Sequence, residues 1–370
     1  MSALKKKKGR IARKPGKKAQ GVQLDRLPGY LAEVLPGLKN LAAMEIAELL
    51  GTQVYFARNQ REDEIIFRTS RPLDYLLKLR ISGSISSRLY FPIPRPRALL
   101  GDVHLKCLLS EAARIKALHP EQSFESFRIE AAGKESNVMQ RLGKLLATGT
   151  GLTEDPEEGE LVVRLRPASV ERSGWEAALR LTPRPLSTRP WRVRNMRGAL
   201  NATIAAAMLR LSRPNPTDKV LNLMCGSGTL LIERALMGSC KRLLGIDNDP
   251  AALDCAAENV GAAGLCAEIE LRQGDACETG LGSSEFNVIL ADLPWGEAKG
   301  KHATNPALYR SLITEVRRIA AKGCRLLLLS QENSLMNQVS ANLGSGWITR
   351  EQVRVLQGGF HPTIWFFECR

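Results

Sequence analysis

The run KVLNLMCGSGTLLIE, residues 219–233, constrains the fold more than any other stretch of the chain. A short apolar segment leads into a Gly-x-Gly turn, and an apolar-periodic helix follows at once. Gly226 and Gly228 let the main chain approach a ligand closely. Amide groups at the start of the following helix can face a polar or negative group. Strand and helix patterns then alternate: strand 219–224, helix 229–237, strand 243–247, helix 251–262, strands 269–272 and 287–291, helix 306–321 and strand 324–330. A helix near 335–343 and strands 347–355 and 363–369 complete the series. Seven strands in this order predict a mostly parallel, doubly wound α/β sheet. No helix separates the last two strands, so the final strand is expected to enter antiparallel.

The first half reads as an α+β patchwork. A helix over 35–50 carries Leu38, Leu41, Ala42, Ile46 and Leu49 on one stripe. Strand patterns at 53–57 and 64–68, helices at 73–79 and 103–118, a strand at 126–130, a helix at 136–146 and strands at 161–167 and 177–181 follow. Two small α+β units in tandem account for this. Between 182 and 197 the composition shifts to TPRPLSTRPWRVRNMR. Its prolines stop regular structure, and Arg184, Arg189, Arg192, Arg194 and Arg197 suit phosphates. It reads as a basic linker, either solvated or in contact with RNA.

Charge points the same way. The chain of 370 residues carries a formal net charge of +15. Lys5, Lys6, Lys7, Lys8, Arg10, Arg13, Lys14, Lys17 and Lys18 crowd the first twenty residues, with no acid among them. A block of like charge repels itself, so disorder is expected there, with nucleic acid as the natural polyanionic partner. A solubilising tail fits the same residues. The eight cysteines form no Cys-x-x-Cys pair and the four histidines are scattered. Neither a zinc site nor a disulfide framework is signalled, and reduced thiols in the cytoplasm are expected. There is no apolar run of about 18 residues, so no membrane helix is expected. The basic N-terminus also lacks the apolar centre of a secretory signal.

Three further elements mark a site. Asp247 ends the strand after the glycine turn, 21 residues beyond Gly226. An acid there can accept both ribose hydroxyls of a nucleotide. A dinucleotide would want a third glycine, and Thr229-Leu230-Leu231 stands in its place. Asp275, in QGDACE, follows the third strand and can accept from an adenine amino group; alone, such a residue is usually a turn or cap. ADLPWGE, residues 291–297, directly follows an apolar strand. Asp292 and the carbonyl of Leu293 can accept hydrogen bonds from an exocyclic amine and turn its lone pair toward an electrophilic methyl group. Pro294 fixes the backbone, and Trp295 can stack on a base turned out of its helix. A turn with a core tryptophan is the plain alternative for Trp295.

CGSGT with Asp247, Asp275 and DLPWG resembles the class I S-adenosylmethionine-dependent methyltransferases that modify exocyclic amines. RGALNATIAAAM, DLPWG and GGFHPTIWFFECR together resemble the THUMP-domain RNA methyltransferases, which include the tRNA guanine-N2 enzymes. More loosely, PGLKNLAAMEIAELLG and FRIEAAGKESNVMQRLGKLL resemble the opening helix and THUMP segment of that family. The resemblance implies a basic tail (1–24), a ferredoxin-like α+β unit (25–100), a THUMP RNA-binding domain (101–182), the linker (183–197) and a seven-stranded Rossmann-like methyltransferase domain (198–370). It implies that Asn222, Cys225, Gly226, Gly228 and Thr229 surround the methionine and ribose part of S-adenosylmethionine. Asp247 and Asn248 would serve the ribose, and Asp275 with the Ala276 amide the adenine. Asn201 and Thr203 match the family's helix near the methionine end, where a cap and packing role fits equally.

The sequence departs from the family pattern at two positions. Asn222 stands where an acid is common, and Leu293 where proline is common. The implied reaction is methyl transfer to N2 of a guanine in tRNA, catalysed by Asp292, Leu293, Pro294 and Trp295 without a metal, by a cytoplasmic monomer. Guanine N2 in ribosomal RNA, adenine N6 in a nucleic acid, or a non-catalytic RNA-binding role stay open.

Overall fold

The computed structural model describes residues 28–51, 54–57, 61–169, 173–294 and 304–370. The basic segment 1–24 and Trp295 lie outside the described residues. The N-terminal half runs β1 (Gly29–Glu33), α1 (Lys39–Leu50), β2 (Val54–Phe56), β3 (Glu64–Thr69), α2 (Leu73–Leu76), β4 (Ser84–Phe91), α3 (Asp102–Lys116) and β5 (Ser126–Ala131). It continues through α4 (Asn137–Thr150), β6 (Thr153–Glu154), β7 (Leu161–Pro167) and β8 (Trp175–Arg180). The C-terminal half opens with α5 (Ala202–Leu211), β9 (Lys219–Leu223), α6 (Thr229–Leu236), β10 (Arg242–Asp247), α7 (Pro250–Ala262), β11 (Glu270–Gln273) and β12 (Phe286–Asp292). It closes with α8 (Asn305–Ile319), β13 (Ala320–Ser330), α9 (Asn333–Leu343), β14 (Trp347–Arg354) and β15 (Thr363–Cys369).

Local chemistry explains the helix boundaries that matter most for the site. Asn201 caps α5, its Oδ1 accepting from the Thr203 amide at 2.8 Å, so residues 198–200 stand outside the helix. Asp249 caps α7 in the same way, with Pro250 in the first turn.

Strands β9 to β15 pair in the order β11-β10-β9-β12-β13-β15-β14. The first five are parallel, while β15 pairs antiparallel with both β13 and β14, as the missing helix predicted. Side chains alternate across this sheet. Val220, Val288, Leu290 and Leu327 pack on the side of α5 and α6, and Leu221, Leu223, Ile289 and Leu326 on the side of α8 and α9. Burial on both faces is what near-continuous apolar strands require.

The N-terminal half differs from two separate units. Its strands form one sheet, β2-β3-β1-β4-β8-β7-β5-β6. β4 and β8 join the two parts as an antiparallel pair, with Ser86 opposite Arg180. β1 and β4 are central strands that the sequence pattern did not announce, because SISSRLYF is serine-rich and β1 is only five residues long. One face of this sheet packs Tyr30, Phe67, Ile85 and Leu179 into an apolar core. That core continues through Ile204–Met208 of α5 and into the second sheet, so the two halves share it. The other face is dominated by ion pairs, including Arg88 with Glu176 at 2.5 Å and Arg166 with Glu64 at 2.5 Å.

Two of the linker arginines, Arg189 and Arg192, turn inward, while the Arg194 side chain is exposed beside Glu258 and only its backbone is tied down. Arg189 is buried and donates to Glu233 of α6 at 2.7 Å, and Arg80 reaches the same carboxylate at 2.6 Å. Arg192 donates to the Leu200 carbonyl and Thr229 Oγ1, both at 2.8 Å, and the Arg194 amide donates to Asn259 at 3.0 Å. These three arginines tie the linker to the second sheet's helices. Arg184 and Arg197 stay exposed. Among the described residues, no helix is long and apolar enough to cross a membrane.

Candidate active site

In the second sheet β9 lies between β10 and β12, so the direction of crossover reverses beside it. Open α/β sheets hold ligands outside the carboxyl ends of their strands at such a point. The marked residues gather there. Asn222 is the fourth residue of β9, Asp247 ends β10, Asp275 follows β11 by two residues and Asp292 ends β12.

The turn after β9 has an unusual backbone. Met224 has φ 52°, Gly226 φ 54° and Gly228 φ 78°. A left-handed conformation at the non-glycine Met224 stores strain of the kind found at binding sites. Gly226 donates its amide to Asp247 Oδ2 at 2.8 Å, and Asp249 donates to Oδ1 at 3.1 Å. The Asp247 carboxylate therefore stitches the glycine turn to the end of β10. Gly245 sits under the turn, where a Cβ would lie 2.5 Å from Leu231 and 3.1 Å from the Cys225 sulfur.

Asn222 is 1% exposed. Its Nδ2 donates to the carbonyls of Leu223 and Leu290, both at 3.2 Å. That leaves Oδ1 buried with no partner. An orphaned buried acceptor carries a desolvation cost, and a ligand donor would remove it.

Two cavities meet here. A small one, about 20 Å³, is lined by Gly198, Leu200, Asn222, Cys225, Gly226 and Thr229. A larger one, about 360 Å³, is lined by Asp247, Asn248, Asp275, Ala276, Pro294 and Leu308. Met224 and Asp292 line both. The described site residues named from the sequence, apart from Gly228 and Leu293, thus share one continuous surface. Thr229 takes part with its hydroxyl already engaged by Arg192 and Ser227. Asn201 and Thr203 line neither cavity.

Sequence reasoning missed the residues that hold the Asp292 loop. The Leu293 amide donates to the Leu329 carbonyl at 3.0 Å. The Pro294 carbonyl accepts from Tyr309 Oη at 3.1 Å and from Asn305 Nδ2 at 3.2 Å. Tyr309 also meets Ser330 Oγ at 2.9 Å, and burial pushes its phenol well above the ordinary range. The sequence signal was a tyrosine on the apolar face of the 306–321 helix pattern and an asparagine just ahead of it. Cys277 lies beside Asp275, and burial with that negative charge raises its thiol to about 11. It is a protonated thiol at neutral pH. Among the described residues no group of three or more His, Cys, Asp or Glu side chains is placed to hold a metal ion.

Residues 189–362 match the family model of the RMKL-like methyltransferase domain. The tRNA (guanine(6)-N2)-methyltransferase of Thermus thermophilus is 31% identical over 252 residues, spanning 66% of this chain and 72% of that protein. The chain belongs to the tRNA guanine-N2 methyltransferase family. The crystal structure of TrmN from Thermus thermophilus is similar with a TM-score of 0.71 at 25% identity, covering 93% of this chain and all of that one. Bovine tRNA (guanine(6)-N(2))-methyltransferase THUMP3 is 30% identical over 184 residues, 46% of this chain and 36% of that protein. The chain thus spans about a third of the length of that relative. In this guanine-N2 methyltransferase family member the matched region begins at Arg189, so it includes the arginines that bind the linker to α6 and α7. The second sheet is a Rossmann-like class I methyltransferase fold.

Proposed function

We propose that the chain transfers a methyl group from S-adenosylmethionine to the exocyclic N2 of a guanine in tRNA. Asp292 carries this reading, because it lines the glycine-turn cavity and the Asp247–Asp275 cavity at once. A cofactor spread over both would present its reacting end to that carboxylate.

The residues fit that cofactor. The orphaned Asn222 Oδ1 suits the amino group of the methionine part. The turn through Cys225, Gly226 and Gly228, flanked by Thr229, lets the main chain approach it. Asp247 and Asn248 border the space for the ribose, and Asp275 with the Ala276 amide the space for adenine. When bound, S-adenosylmethionine would supply an electrophilic methyl group on a sulfonium centre, whose sulfur keeps the electron pair of the broken methyl–sulfur bond as a neutral thioether.

Asp292 and the Leu293 carbonyl accept from the two N–H bonds of the target amine, which weakens conjugation of its lone pair with the ring. Asp292 then takes the proton that the nitrogen sheds as the new C–N bond forms. Tyr309 and Asn305, by holding the Pro294 carbonyl, keep these acceptors in register. Trp295 serves as the stacking surface for the base. Positioning of this kind supplies much of the rate in a direct transfer. Residues 25–100 and 101–182 serve as the ferredoxin-like and THUMP units that grip folded RNA by shape and phosphate, joined in one sheet. The basic tail adds phosphate contacts, and the enzyme works as a cytoplasmic monomer.

Methyl transfer from labelled S-adenosylmethionine to unmodified total tRNA, followed by nucleoside analysis, tests this reading. A labelled N2-methylguanosine peak is expected. Intact cofactor binding with no label on tRNA overturns it in favour of ribosomal RNA or adenine N6. Two variants sharpen the site. Asn222→Leu removes the orphaned acceptor and is expected to weaken cofactor binding by about 10- to 100-fold, measured by calorimetry. Tyr309→Phe removes one of the two donors to the Pro294 carbonyl, leaving Asn305, and is expected to lower kcat by about 10-fold with KM for tRNA unchanged. A raised KM at constant kcat would assign Tyr309 to substrate binding instead.

A further inference from the structure

Strand register gathers a second polar site on the charged face of the N-terminal sheet. Ser84 and Ser86 of β4 share that face with Arg180 of β8, which lies directly opposite Ser86. A cavity of about 360 Å³ opens there, closed on its other side by Ser187 of the linker and by Asn201 and Thr203 at the start of α5. Asn201 follows Leu200 of the glycine-turn cavity, so the two spaces lie on either side of the α5 cap.

The polar groups of this cavity are under-used. The neighbouring arginines of the face are paired with carboxylates: Arg164 with Glu33 and Glu130, and Arg128 with Glu130 at 3.1 Å. Arg180 is the exception. It is 8% exposed, and its Nε and Nη2 donate only to carbonyls, those of Thr182 at 2.8 Å, Glu160 at 3.0 Å and Pro183. Its Nη1 has no partner among the described residues. The hydroxyls of Ser84, Ser86 and Ser187 also make no hydrogen bond among the described residues. Three guanidinium groups and two carboxylates leave one positive charge in excess. Burial and the positive charge of Arg128 hold the Arg180 guanidinium down to about 10, still protonated at neutral pH. A ligand anion would relieve that crowding.

We infer that this cavity binds a phosphate group. Three idle hydroxyls accompany a surplus cation that has one unpartnered donor of its own, and a phosphate offers three or four acceptor oxygens where a carboxylate offers two. The phosphate comes either from the RNA strand or from a free phosphate compound. The RNA source rests on the function proposed above, whereas the site does not.

Thermal unfolding of the full chain in inorganic phosphate, against chloride at matched ionic strength, tests the site. The variants are Ser86→Ala/Ser187→Ala and Arg180→Lys, each checked for folding by circular dichroism. Phosphate also stabilises proteins by exclusion from their surface, so the difference between wild type and variant is the readout. Wild type is expected to show a saturable rise in Tm. The serine pair, which leaves the packing intact, is expected to weaken the apparent phosphate affinity at least about fivefold. An equal response in wild type and the serine variant overturns the site. If the site stands, RNA affinity against salt names the source. A slope lower by about one in the Arg180→Lys or serine variant assigns an RNA phosphate, and an unchanged slope assigns a free phosphate compound. S-adenosylmethionine binding, measured in the same variants and expected to be unchanged, keeps this result separate from the methyltransferase reading.

Discussion

Replacing Asp292 by asparagine is expected to cut methyl transfer to unmodified tRNA by about 10²- to 10⁴-fold, the range for removing a positioned proton acceptor. The side chain keeps its size, so the fold should not change. Asp292 closes β12, whose preceding residues Val288–Ala291 are fully buried. The adjoining Leu293 amide stays bonded to Leu329 and the Pro294 carbonyl to Tyr309. Asparagine can still accept one hydrogen bond from the amine, but it cannot take the proton. Cofactor affinity by calorimetry should stay near the wild-type value, because Asn222 and Asp247 are untouched. Retention of full transfer by Asp292→Asn would remove Asp292 from the mechanism.

Glu233→Ala is expected to cost about 3–5 kcal/mol of stability, the usual penalty for leaving a buried charge without its partner. Glu233 lies on the first turns of α6 and is fully buried. It takes Arg189 of the linker at 2.7 Å and Arg80 of the N-terminal half at 2.6 Å. Arg189 in turn donates to the Arg80 carbonyl at 2.7 Å. One carboxylate therefore pins three parts of the chain together, next to the helix that follows the glycine turn. Glu233→Gln keeps the shape and one acceptor, and it should lose less. Urea unfolding followed by circular dichroism measures both. A loss below about 1 kcal/mol for alanine would reduce the triad to the worth of a surface pair.

The C-terminal half was legible in the sequence for a local reason. Parallel strands buried on both faces must be short apolar runs, and a turn that meets a ligand must use glycine, so VLNL, CGSG and VILADLP disclose their places without knowledge of their neighbours. Asp247, Asp275 and Asp292 follow from their positions at strand ends, and the antiparallel entry of β15 follows from a missing helix. Tertiary structure decided what depends on a distant partner. The serine-rich run of Ser84, Ser86 and Ser87 does not read as a strand, yet β4 is the strand that joins the N-terminal sheet, because its backbone is paired on both sides, with β1 and with β8. The linker arginines carry the composition of a phosphate-binding segment. The use of Arg189 and Arg192 was set by Glu233 and Thr229, which lie 44 and 37 residues away. Tyr309 looked like an ordinary helix residue and Asn305 lay just ahead of the expected helix until α8 brought both under Pro294. Periodicity and turn chemistry are properties of neighbours in the chain, whereas the pairing of a buried charge or a buried carbonyl is a property of neighbours in space.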